Sequence, residues 1–145
     1  MDTSTVLERP KVSARLYTWL PGNDPRVAQA KTLHAKWAPI LEDAVNEALT
    51  YPGPDDFAAM LELAGIKGRT GNSTKCAAAA WFQQATGNPL LRVSGTIAIP
   101  LDTPEGERVG TTAVNAPGVV VAFYNNFDAG YYPRLHERSY TGRLL

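Results

Sequence analysis

Cys76 is the only cysteine in the chain, and it stands where a thiolate would be favoured. It follows a basic polar loop of Lys67, Gly68, Arg69, Thr70, Gly71, Asn72, Ser73, Thr74 and Lys75, and it opens the run Ala77–Phe82, which reads as a helix. A helix N-terminus gathers unpaired N–H groups and the positive end of the peptide dipole, and both lower a thiol pKa. A cysteine leading a helix, with strands to follow, is the general plan of papain-like hydrolases. The strands that follow here carry no histidine; the chain's two, His34 and His136, fall in an early helix and in a C-terminal tail. Cys76 is therefore expected to be a buried structural residue, with a cysteine hydrolase as the alternative.

The loop Lys67–Lys75 is itself a candidate ligand site. Gly68 and Gly71 permit close backbone approach, Arg69 and Lys75 bring charge, and Thr70, Ser73 and Thr74 bring hydroxyls, all donors suited to a small anion. The order of residues does not match the nucleotide-binding G-x-x-x-x-G-K-S/T pattern, because the lysine follows the hydroxyl residues. A capped surface loop accounts for the same composition. Tyr131 and Tyr132, just past a helix-ending Gly130, are the candidate protein-contact residues. Glu42-Asp43 and Asp55-Asp56 are adjacent pairs that diverge on a helix, so neither a metal site nor a cofactor is expected.

These residues must be positioned by about four helices and a pair of strands. Val12, Leu16, Tyr17 and Leu20 recur at helical spacing, which predicts a short helix before Pro21-Gly22. Asp24-Pro25 is a start signal, and the apolar stripe Val27 to Leu49 predicts a helix that Pro39 either kinks or divides. Asp55 and Asp56 begin the next helix, with Phe57, Met60, Leu61 and Ala64 inside and Gly65 as a left-handed stop. The Cys76 helix should be capped by Asn72, Ser73 or Thr74 and end near Gly87. On this reading Trp19, Trp37 and Trp81 all lie on apolar helix faces, in the core.

The period then changes. Leu91, Val93, Gly95, Ile97 and Ile99 alternate, as do Val109, Thr111 and Ala113, and the turn-rich Asp102–Glu107 between them predicts a β-hairpin. Asn115-Ala116-Pro117 reads as a helix start leading to Val120, Phe123, Tyr124 and Phe127. The three consecutive valines at 119–121 favour a strand instead, so residues 117–129 stay open between the two.

The motifs L-A-G-I-K-G, G-N-S-T-K-C-A-A-A-A-W-F and A-F-Y-N-N-F-D-A-G-Y-Y-P-R-L resemble those of small uncharacterised proteins of actinobacteria and their phages. These share a G-I-x-G loop, a Cys-Pro-Leu-Ala helix start and a closing F-D-x-G-x-Y-P-x-L. The similarity covers roughly Asp55 to Leu135. The chain departs from the pattern at Ala77 and Ala78, where proline and leucine are usual. The resemblance implies kinship of origin and fold and brings no catalytic residues.

Composition narrows the remaining classes. With 44% hydrophobic and 19% charged residues, a chain of 145 can build one real core. Fourteen basic residues balance fourteen acidic ones, which argues against nucleic acid and against an anionic membrane surface as partners. The charges segregate locally: from Trp37 to Ala64 every one is acidic, and from Gly65 to Arg92 every one is basic. A single cysteine allows no internal disulfide, no apolar run is long enough to span a membrane, and the first residues do not begin a secretory signal. The expectation is a cytoplasmic α+β protein with three or four helices packed on a small antiparallel hairpin and closed by a C-terminal helix. Residues 1–10 would be a flexible lead-in, 11–135 one domain and 136–145 a polar tail. It would be a small non-enzymatic binding protein, a phage accessory factor acting on a host protein or a sequesterer of a small anionic ligand.

Overall fold

The computed structural model describes residues 12–137, so the lead-in over 1–10 and the tail beyond Glu137 lie outside the described residues. The elements run β1 (Arg15–Tyr17), α1 (Arg26–Ala48), α2 (Pro54–Leu63), α3 (Ala77–Thr86), β2 (Arg92–Val93), β3 (Thr96–Asp102), β4 (Arg108–Asn115) and α4 (Gly118–Asp128). A 3₁₀ turn, Pro133–Leu135, follows α4. The class is α+β, with four α-helices and an antiparallel sheet among the described residues.

The sheet is larger than the hairpin that alternation alone predicts. Its order is β1-β4-β3-β2. The segment expected as a short helix before Pro21 is instead the edge strand β1, registered with Leu16 opposite Thr112. Leu16 and Leu20 satisfy a helical period as well as a strand beside a turn, and a three-residue strand leaves almost no alternation to read. Long-range partners decide between the two: the Ala14 N–H donates to the Glu42 carboxylate on α1 at 2.8 Å, and the Thr18 hydroxyl donates to the Val109 carbonyl at 2.8 Å. Trp19 moves with this correction, from the expected core to 64% exposed.

The hairpin face came out as its pattern required. Val93 opposes Ile97 and Ile97 opposes Val114, and with Ile99 and Leu101 they turn one face of the sheet into the core. Helix α1 covers that face, and the His34 ring nitrogen Nδ1 meets the Thr112 hydroxyl at 2.9 Å. Pro39 sits inside α1, which runs through it unbroken. The helix begins at Arg26, whose N–H donates to the Asp24 carboxylate at 2.8 Å. Hydrogen bonds from the Arg26 side chain hold the Asp24 carboxyl down to about 2, and the same guanidinium reaches Glu107 in the β3–β4 turn.

Behind the sheet the core is aromatic. Phe57 on α2 stands edge-on to Tyr51, Trp81 and Phe123, with centroids 5.7, 5.6 and 5.2 Å away. Such pairs add to plain area burial because the positive ring edge meets a negative ring face. Residues 118–128 are helix, with Val120, Phe123 and Phe127 inside. Their helical spacing serves this cluster, and that outweighs the strand preference of the valines. Gly65, at φ 73°, ends α2 as expected: its N–H bonds to Glu62 O, and the Ile66 N–H reaches back to Leu61 O at 3.0 Å. Ile66 is buried by that reversal, and the chain is aimed across the start of α3.

Candidate functional site

The loop 67–75 takes its shape from its own hydrogen bonds. The Asn72 carbonyl accepts from the Lys75 and Cys76 N–H groups, and its side-chain oxygen accepts from the N–H and hydroxyl of Thr74. The Arg69 N–H returns to the Lys75 carbonyl at 2.8 Å. Gln83, nearly two turns into α3, donates through Nε2 to the carbonyls of Thr74 and Leu91, tying the loop to the segment before β2. Asn72 organises the turn, but the cap of α3 is Cys76 itself: its sulfur accepts from the Ala79 N–H at 3.4 Å. Asn72, Ser73 and Thr74, the capping candidates by composition, lie one turn too early, because the chain makes a further hydrogen-bonded turn before the helix begins.

Gly68 crosses directly over that helix start. A Cβ placed there would lie 2.2 Å from Ala77 N and 2.4 Å from Cys76 C. The C-terminal segment clips the other side: the Gly68 N–H donates to Leu135 O at 2.8 Å, and the Glu137 N–H donates to Gly68 O at 3.0 Å. Glu137 also binds Arg69 Nε at 2.8 Å. His136, placed by composition at the start of the polar tail, is 7% exposed, with its ring flat on Phe127 at 4.2 Å. Two carboxylates therefore reach a loop that has no acidic neighbour in sequence. Glu137 takes Arg69, and Asp128 Oδ1 accepts the Gly71 N–H at 3.0 Å. Composition does not reveal these contacts, since both acids come from segments more than fifty residues away.

Cys76 is 4% exposed at the base of a cleft of about 240 Å³ between this loop, Ser94, Tyr124 and Asp128. Burial pushes its thiol above the ordinary 9.0, and the nearby Asp128 charge adds to the shift, against the N–H groups of the helix start. Desolvation thus outweighs the dipole that made the position attractive. No histidine lines the cleft: His34 is engaged with Thr112, and His136 places Nε2 3.1 Å from Tyr131 O. Among the described residues there is no group of three or more His, Cys, Asp or Glu suited to a metal, and no helix is long and apolar enough to cross a membrane.

A prediction follows for the thiol. Native protein at neutral pH should be alkylated by iodoacetamide far more slowly than urea-unfolded protein, because only the thiolate reacts and burial disfavours it. The folded thiol holds its proton to higher pH than the unfolded one. Its contribution to stability is whole below the ordinary 9.0 and is lost as pH rises through the folded value. Urea midpoints of wild type and Cys76→Ala should therefore converge from neutral toward strongly alkaline pH; constant separation would contradict this.

Of the two tyrosines, Tyr132 lines a different hollow, and Tyr131 precedes it in the chain. Tyr131 is 61% exposed. Tyr132 lines a groove of about 340 Å³ floored by Ala58, Ala59 and Leu135, with Asp55, Glu62 and Arg134 at its edges. Tyr132 is held at φ 59°, ψ 59°, a left-handed conformation that costs a residue with a Cβ about 1–2 kcal/mol. The ring stacks on Phe123 at 5.3 Å, while its hydroxyl donates to Asp55 at 2.8 Å and accepts from Asn126 at 3.1 Å. These contacts offset the backbone cost. Arg134 bonds Glu62 across the groove at 2.9 Å. Sequence reading found the tyrosines and missed Asp55, Glu62 and Arg134 as their neighbours; the opposite charges on the two segments were the available signal.

No protein-family profile, curated protein or solved structure matches the chain.

Proposed function

We propose that this is a small, non-enzymatic binding protein of the cell interior, acting by contact with another protein through the groove between α2 and residues 131–135. The state of Cys76 carries the non-enzymatic part: the only thiol is buried, protonated, used as a helix cap, and without a histidine in its cleft. The groove carries the contact part. It joins the Tyr132 ring, an apolar floor and charged edges of both signs, with the exposed Tyr131 next in the chain, the composition of a small protein interface. The resemblance of the motifs quoted above to actinobacterial and phage proteins makes a bacterial host protein the partner to seek.

The second reading, a small anion at Lys67–Lys75, has one observation in its favour: the Gly71 N–H already binds a carboxylate. That carboxylate is the chain's own Asp128, and Arg69 is already paired with Glu137, so an external anion has to displace both. Contact with a protein is therefore ranked first.

Capture from an actinobacterial lysate by wild type and by Tyr131→Glu/Arg134→Glu tests the ranking. The partner should be lost from the variant while the melting temperature stays within a few degrees, since both side chains are exposed. Capture indifferent to the groove, together with heat on calorimetric titration with phosphate that Arg69→Ala/Lys75→Ala removes, would transfer the function to the loop. Rapid stoichiometric alkylation of native Cys76 would restore the hydrolase alternative.

A further inference from the structure

The cleft over Cys76 is lined by polar groups that the fold leaves unused. Asn72 and Ser73 come from the loop, Ser94 from the turn between β2 and β3, and Tyr124 and Asp128 from α4, above a base of Cys76 and Val93. The hydroxyls of Ser73, Ser94 and Tyr124 make no hydrogen bond among the described residues, and neither does the Asn72 side-chain nitrogen. The Thr74 hydroxyl next to them, by contrast, is bound to Asn72 Oδ1. Asp128 engages one oxygen with the Gly71 N–H at 3.0 Å and keeps the other open. Asn72, Ser73, Ser94 and Asp128 are exposed and Tyr124 is half-buried, so the cleft is reached from solvent.

The walls are fastened to one another before any ligand arrives. The Val93 N–H donates to Ser73 O at 2.9 Å, which joins the loop to β2, and the Ser94 N–H donates to Thr96 O at 2.8 Å. Gly71 and Asp128 join the loop to α4. A site held in this way loses little freedom on binding. Its volume of about 240 Å³ lies below the roughly 300–1,000 Å³ of pockets for drug-sized ligands, which suits a molecule of one ring. Charge narrows the class further. Asp128 is the one charged residue in the lining, and it repels an anion. Lys67 and Lys75 on the adjoining loop have no ion-pair partner among the described residues, and Lys75 directly precedes Cys76; they disfavour a cation. A neutral ligand rich in hydroxyl groups remains, because each of its hydroxyls both donates and accepts, as those of Ser73, Ser94 and Tyr124 do.

We propose that this cleft binds a neutral sugar, a single pyranose ring, with the open Asp128 oxygen and the hydroxyls of Ser73, Ser94 and Tyr124 on its hydroxyl groups. A pyranose carries hydroxyls around its rim and C–H groups on its faces. The rim suits the polar walls, and the C–H groups suit the Tyr124 ring and the Val93 base, since tyrosine offers an apolar body and a polar tip together. The cleft shares no lining residue with the α2 groove, so this proposal stands or falls independently of the protein-contact reading.

The test is a titration of isotope-labelled whole protein with D-glucose, D-galactose and D-mannose, followed by amide chemical shifts. At least one hexose should move the signals of Ser73, Ser94 and Asp128, with a Kd on the order of millimolar for so small a ligand. The matching uronic acid, which adds a carboxylate, and the matching amino sugar, which adds an ammonium, should each bind about tenfold more weakly. Asp128→Asn should narrow the gap between hexose and uronic acid, because the repelling charge is gone. Ser94→Ala/Tyr124→Phe should weaken hexose binding about tenfold by removing two hydrogen bonds. Its melting temperature should stay at the wild-type value, since those hydroxyls bond nothing in the protein. Tyr131→Glu/Arg134→Glu, changed at the separate groove, should leave the titration as it is. Three results would overturn the proposal: amide signals that none of the hexoses moves, a uronic acid or amino sugar that binds as tightly as its parent, or hexose binding indifferent to Ser94→Ala/Tyr124→Phe.

Discussion

Gly68→Ala should lower the melting temperature by roughly 10 °C. The new Cβ would lie 2.2 Å from Ala77 N, 2.4 Å from Cys76 C and 2.6 Å from Lys75 O. All three are backbone atoms, and no rotamer change can move them aside. The loop has to lift from the start of α3, which strains the Gly68 bonds to Leu135 and Glu137 and the Arg69–Glu137 pair. Overpacking costs about 1–3 kcal/mol when side chains can give way, and the upper end or more applies when only backbone can. At a few degrees per kcal/mol for a domain of this size, 3 kcal/mol is about 10 °C. Gly22→Ala is the control: nothing lies within 4 Å of its Cβ, and its melt should match wild type. A Gly68→Ala protein that melts within 2–3 °C of wild type, about 1 kcal/mol or less, would mean that the loop does not cross the helix as described.

Ile97→Asp should leave no folded domain at 25 °C. Ile97 is fully buried, opposite Val93 on one side and Val114 on the other, in the row that α1 covers. The change removes an aliphatic side chain, at about 2–5 kcal/mol, and buries a carboxylate without a partner, at several more. Together they match the whole stability of a typical domain, about 5–15 kcal/mol. Ile97→Val, which keeps the shape less one methyl, should cost only about 0.5–1.5 kcal/mol. Far-ultraviolet circular dichroism and urea titration distinguish the outcomes. A cooperative urea transition for Ile97→Asp with its midpoint near wild type would show that the β2–β3–β4 register is wrong by one residue, since a slip of one sends every side chain to the opposite face.

The sequence by itself determined the parts of this protein whose physics is local. Gly65 and Gly87 end helices because only glycine adopts φ of 73° and 72° without cost, and composition alone locates them. The alternation of Val93, Ile97 and Ile99 settles which face of the strands is buried, because the period of a strand is two whatever it packs against. Helical spacing of Val120, Phe123 and Phe127 was legible too, though the valines at 119–121 left the segment open until the aromatic cluster around Phe57 required a helix. Only the tertiary structure decided the rest. Residues 15–17 carry too few positions to show a period; β4 and Glu42 make them a strand, and that choice put Trp19 outside and widened the hairpin into a four-stranded sheet. The Cys76 loop divides the same way. Its glycines, cations and helix start are visible in the chain, and they suggest an empty, electropositive site. The carboxylates of Asp128 and Glu137 that reach into it come from distant segments, and burial, not the local dipole, governs the thiol. Charge and desolvation act through space, so a linear reading finds the donors of a site and misses what the fold brings to meet them.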